Sequence, residues 1–183
     1  MRATRRQALV GAALAPALIA RAPVALGAAN DDERKKRAQA ALVAALKVEQ
    51  TAVVAYEAIA NSGKLSVRAT ALLRLLLDHD RQHTEQLVTA LDSQGVKPPI
   101  PPRRARIPGL AAVRDDTAAA DFAIDLELRA VGAYNEVVLN LGDPNLLRTI
   151  AGAMGTDGQH LVVLRRLARR VPVPGAFERG ISP

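Results

Sequence analysis

The sequence predicts an all-α protein, an antiparallel four-helix bundle of two helical hairpins joined by one long Pro-rich crossover. Three observations carry that expectation. Nearly half of the 183 residues are apolar, yet only two are Phe, two are Tyr and none is Trp. The core must therefore be built from Ala, Leu and Val, a composition that favours helices over sheets. Four stretches of helical periodicity are separated by a short, a long and a short connection. The chain also matches itself: Val48-Glu49-Gln50-Thr51-Ala52-Val53-Val54-Ala55-Tyr56 is echoed by Leu126-Glu127-Leu128-Arg129-Ala130-Val131-Gly132-Ala133-Tyr134.

Residues 1–29 have the pattern of an export signal, with a basic start, an apolar run from Ala8 to Ala20, and small residues around Ala25 to Ala29 where a peptidase could cut. The run is too short to span a bilayer as a stable helix, so no transmembrane segment is expected once the signal is removed. Thr4-Arg5-Arg6-Gln7-Ala8-Leu9 resembles a twin-arginine signal. An ordinary Sec signal is the alternative. The expected location is the periplasm, the cell envelope or the exterior.

The bundle is expected over 30–170, with helices at about 31–61, 66–94, 116–141 and 144–170. The first has cap candidates in Asn30-Asp31-Asp32-Glu33 and stops at Asn61-Ser62-Gly63. Its stripe is Leu42, Leu46, Glu49, Val53, Tyr56 and Ala60. The second closes on Gly95 and carries Leu73, Leu76, Asp80, His83, Leu87 and Leu91. Residues 95–115, rich in Pro and Arg, read as a stiff crossover to the far end of the bundle. The third helix carries Ala120, Ala123, Glu127, Ala130, Tyr134 and Val138. The fourth restarts at Asp143-Pro144, a cap followed by proline at the first helical position. Its inner positions are Ile150, Asp157, His160, Leu164 and Leu167. Residues 171–183 form a tail whose docking the sequence leaves open.

The formal charge of +7 invites a nucleic-acid reading, but four of the basic residues are Arg2, Arg5, Arg6 and Arg21 in the signal. The others cluster in the crossover and at the end of the fourth helix without interleaved aromatic residues, so no nucleic-acid partner is expected. The chain has no cysteine. Disulfide scaffolds, thiolate zinc sites, cysteine nucleophiles and c-type haem attachment are thereby excluded.

Each half carries a second match, Asp80-Arg81-Gln82-His83 against Asp157-Gly158-Gln159-His160. A spacing of three puts Asp and His on one helix face, and a spacing of seven does the same for Glu and Tyr. Glu49, Asp80, His83, Glu127, Asp157 and His160 should then converge at mid-bundle. Ionised carboxylates in a leucine-lined interior are costly unless paired or coordinated, and no Lys or Arg lies at that depth on the stripes. Two divalent ions would supply the missing charge; carboxylate with imidazole suits Fe or Mn. A metal-free layer of hydrogen-bonded polar groups is the alternative. His79 with His83 is a competing metal pair, ranked lower because the residue matching His79 is Thr156.

These residues resemble the ferritin-like proteins, four-helix bundles with a carboxylate-bridged di-iron or di-manganese centre, and most of all the exported bacterial members. The resemblance covers about residues 31–170. It maps Glu49 and Glu127 to the single glutamates of the pattern, and His83 and His160 to the histidines of its Glu-x-x-His motifs. Tyr56 and Tyr134 match the tyrosine that in many members hydrogen-bonds a ligand carboxylate. The departure is Asp80 and Asp157, where the pattern has Glu, one methylene longer. Direct contact, contact through water and an orienting role are the alternatives there. The resemblance implies oxygen- or peroxide-linked redox chemistry or metal handling, with homodimer formation left open. A metal-free bundle with a binding or envelope-protective role is the competing function.

Overall fold

The computed structural model describes residues 24–182, with side chains from Asn30 onward. It contains α1 (Val24–Ala60), α2 (Val67–Ser93), two short 3-10 turns (Arg104–Arg106 and Leu110–Ala112), α3 (Asp116–Asn140) and α4 (Pro144–Leu167). Among the described residues there are four α-helices and no strand, the all-α bundle expected. The twin-arginine-like motif and the apolar run of the signal lie outside the described residues.

Local chemistry fixes the helix ends. Ser66 Oγ accepts from Ala69 N at the start of α2, and Asp115 accepts from Ala118 N at the start of α3. Asp143 accepts from Asn145 N and Leu146 N, with Pro144 behind it. Each bond satisfies an amide that lacks an intrahelical partner. α2 ends with Gly95 at φ 69° and Val96 N bonded to Leu91 O at 3.0 Å. α4 ends in the same way, with Arg170 N on Arg165 O, but its left-handed residue is Arg169, at φ 57°. α1 differs from expectation: it begins at Val24 and runs straight through Asn30-Asp31-Asp32-Glu33. Nothing between Val24 and Asn30 breaks a helix, so the polar cluster becomes an exposed turn rather than a cap.

Hydrogen bonds at one end of the bundle set its topology. Ser66, ahead of α2, bonds the Asp116 carboxylate through N and Oγ at 2.8 and 2.6 Å. Arg170, beyond α4, pairs with Asp121 at 2.7 Å. The C-terminal ends of α1 and α4 therefore meet the N-terminal ends of α2 and α3. Contacts join α1 to α2, α1 to α3 and α3 to α4, while α2 and α4 touch sparingly. Every neighbouring pair is antiparallel, and the crossover must travel the full length of the bundle. It is anchored on the way by Gln50 Nε2 donating to Pro99 O at 2.9 Å. Ile107, Leu110 and Val113 are buried in the core.

Two apolar clusters fill the interior. One gathers Tyr56, Leu73, Leu76, Ala123, Leu161 and Leu164. The other gathers Leu42, Leu46, Leu87, Leu91, Tyr134 and Ile150, with Val137 buried where Val138 was expected. Asn30–Ala60 is apolar and long enough to cross a membrane by composition, but Leu42, Leu46, Ala55 and Tyr56 are fully committed to this core.

The C-terminal tail docks on α3. Ile181 N donates to Leu128 O at 2.9 Å, and Asn135 Nδ2 donates to Arg179 O at 2.8 Å. A Cβ built on Gly132 would lie 2.0 Å from Ile181 O. Gly132 matches Val54 in the first half, and the change to glycine is what lets the tail lie against the helix.

Candidate metal centre

Between the two apolar clusters lies a polar layer. Glu49, Asp80, Glu127, Asp157 and His160 are buried, and His83 is nearly so, with 11% of its side chain accessible. Each is placed by helical spacing alone: Glu49 between Leu46 and Tyr56, Asp80 and His83 between Leu76 and Leu87, Glu127 between Ala123 and Ala130, Asp157 and His160 between Ile150 and Leu164. The structure brings all six together. Ligand atoms of Asp80, Glu127, Asp157 and His160 lie within 4.8 Å of one another, as do those of Glu49, Asp80 and His83. Asp80 belongs to both groups and is placed to be shared.

The halves are interleaved. His83 Nδ1 lies 3.4 Å from Glu49 Oε1 and 3.4 Å from Asp157 Oδ1. His160 Nδ1 lies 3.2 Å from Glu127 Oε1, 3.7 Å from Asp80 Oδ1 and 3.8 Å from Asp157 Oδ1. Tyr56 donates to Glu127 Oε1, and Tyr134 donates to Glu49 Oε1, each at 2.7 Å. Each tyrosine thus serves the glutamate of the opposite half, although in sequence it follows its own.

Burial raises both tyrosines well above the usual phenol range, helped by the charge of Glu127 beside Tyr56 and of Glu49 beside Tyr134. They remain donors. Asp80 and Asp157 are also pushed well above the ordinary carboxyl range, first by burial and then by the neighbouring glutamates. Neither aspartate has a hydrogen-bond partner: all four of their oxygens are buried and unsatisfied, as is His83 Nδ1. Such groups are expensive to leave unpaired, and no Lys or Arg reaches them. Hard oxygen donors beside two imidazoles fit a divalent Fe or Mn ion and supply no thiolate for a structural zinc site.

The family model for the ferritin-like domain matches residues 37–170, a span that contains all six residues. The chain belongs to the ferritin-like family. Its fold is also that of a solved structure, a conserved hypothetical protein, rv2844, from Mycobacterium tuberculosis. The TM-score is 0.68 at 22% identity, covering 79% of this chain and 99% of that one. At that identity the likeness is one of fold. No curated protein matches.

One residue of this ferritin-like bundle found a different partner from the one sequence reasoning gave it. His79 does not pair with His83; its Nδ1 lies 2.9 Å from His160 Nε2, and the two rings meet edge to edge, 10° from parallel, with centroids 5.2 Å apart. Partial burial and the adjacent His160 and His83 hold it below the usual imidazole range. The i,i+4 histidine pair was visible in the sequence, but the partner across the bundle on α4 was not.

Proposed function

We propose that Glu49, Asp80, His83, Glu127, Asp157 and His160 hold a pair of Fe or Mn ions, and that the protein uses them for oxygen- or peroxide-linked redox chemistry or for handling the metal itself. The observation that carries this reading is the set of four buried, partnerless aspartate oxygens facing two imidazoles. When bound, two such ions supply two electrons, which with two protons convert one hydrogen peroxide into two waters. The chain's own groups hold the layer in place. Tyr56 and Tyr134 fix one oxygen of Glu127 and Glu49, leaving the rest of each carboxylate for a ligand. The apolar clusters above and below exclude water. Asp80 and Asp157, which burial inclines to keep their protons, would release them on binding a metal.

The competing metal-free layer has in its favour the direct contacts of His83 with Glu49 and of His160 with Glu127. It leaves the aspartate oxygens without a hydrogen bond. The residues of the signal pattern, 1–29, favour export to the periplasm or envelope. Metal analysis of the mature chain, expressed through its own signal, tests the reading beside the Glu49→Ala/Glu127→Ala double variant. About two ions per chain in the first and none in the second are expected. No metal in either, with both folded, would overturn it.

A further inference from the structure

The two halves of the centre differ one turn before each layer histidine. His79 and Thr156 each precede a layer histidine, His83 and His160, by four residues. On one side the ring of His79 meets that of His160 edge to edge, 10° from parallel, and hydrogen-bonds its Nε2, the nitrogen turned away from the carboxylates. On the other side the matching residue is Thr156, whose hydroxyl turns back to Gly152 O at 3.2 Å. Beside it a cleft of about 230 Å³ opens between α2 and α4, reaching His83 and Tyr134 past Gln82, Gln86, Thr149 and Thr156. This is the side of the bundle where α2 and α4 barely touch. The consequence shows in accessibility: 11% of the His83 side chain is exposed against 4% of His160.

We propose that this cleft is the entry and binding site for a small exogenous oxygen- or nitrogen-donor ligand at the His83 half of the centre, and that His79 is a positioning residue that closes the His160 half. The inference rests on the metal reading above. The cleft holds the volume of about eight waters at ~30 Å³ each, so it admits a ligand of a few heavy atoms and not a chain. Its walls offer amides and hydroxyls without a charged side chain, which can hydrogen-bond such a ligand without trapping it as an ion pair. With the carboxylate-facing Nδ1 of His160 given to a metal, Nε2 carries the proton and donates it to His79 Nδ1. That contact fixes the ring's orientation.

Azide is the probe. Wild-type protein is loaded with iron, oxidised in air and titrated with azide by its charge-transfer absorbance, after metal content and helicity are recorded. Thr156→His and Thr156→Leu, which fill the cleft with and without an imidazole, should each weaken azide binding at least tenfold while metal content holds. His79→Thr should speed metal loss to a chelator about tenfold or more, with His79→Asn, whose amide lies near the position of Nδ1, restoring most of the retention. Azide affinity within twofold of wild type in both folded, loaded position-156 variants would overturn the entry site. Unchanged metal loss in His79→Thr would overturn the positioning role. A wild-type chain that takes up no metal overturns the metal reading itself, and this inference with it.

Discussion

The hydroxyl of Tyr134 donates to Glu49 Oε1 at 2.7 Å across 85 residues of sequence. It joins the second hairpin to the first at the level of the polar layer, and Tyr56 returns the same bond to Glu127. Tyr134→Phe keeps the ring and removes only the donor, leaving a buried glutamate oxygen short of a partner. The metal-free chain should lose about 1.5–3 kcal/mol of stability, as for a hydrogen bond to a charged group. Metal affinity should fall about 10–100-fold. Urea unfolding with chelator present and a competition titration measure the two effects separately.

The aspartates give the metal-free chain an inverted pH dependence. Both have folded-state pKa values raised above the ordinary 3.8. Above that value the folded state holds protons that the unfolded state has released, so their contribution to stability is lost as pH rises towards the raised values. The metal-free protein should therefore become easier to unfold as the pH rises above the ordinary 3.8 towards the raised values. The Asp80→Asn/Asp157→Asn variant should show a flatter profile over the same window. Saturating Mn should reverse the trend, because metal competes with those protons.

Glu49→Leu separates the two readings of the layer. A chain that works without metal gains little from buried charges, so the substitution should leave it as stable as wild type or more so. A chain that works with metal should lose the stabilisation that metal gives to wild type. Thermal unfolding of both proteins, with and without Mn, shows which holds; the metal reading expects a metal-dependent rise in wild type alone.

Gly132→Val restores the residue type found at the matching Val54 but drives a side chain into Ile181 O. The tail should come off α3, at a cost of about 1–3 kcal/mol, the size of an overpacking defect. Trypsin should then cut at Arg179 much faster, while metal content stays as in wild type.

Arg169 ends α4 in the left-handed region, at φ 57°. Arg169→Gly relieves that strain and should stabilise the protein by about 1 kcal/mol in urea unfolding.

Much of the layer was legible because it is written twice. A lone glutamate on an apolar stripe says little, whereas Glu49 with Glu127, Asp80 with Asp157 and His83 with His160 fix the same depth on four helices. The crossover followed from proline, which excludes regular helix. Four features were not legible. Tyr56 follows Glu49 by two turns, and that spacing does not name the carboxylate it serves; the bond crosses to Glu127 because neighbouring helices pack closer than two turns of one helix. His79 pairs across the bundle, and local spacing can propose only His83. The start of α1 was misplaced at the acidic cluster because a cap is recognised by what precedes it, and nothing between Val24 and Asn30 stops the helix. The tail's docking depended on Gly132, a break in the repeat whose cause lay 49 residues further on, at Ile181.

Anomalous diffraction from crystals of the Fe- or Mn-loaded chain tests the central claim most directly, with data taken on either side of the metal's absorption edge. Two peaks are predicted within the polar layer, one beside His83 and one beside His160, with oxygens of Asp80 or Asp157 in contact with each. No peak in the layer from crystals grown in excess metal, with the aspartates hydrogen-bonded to each other or to water, would contradict the account.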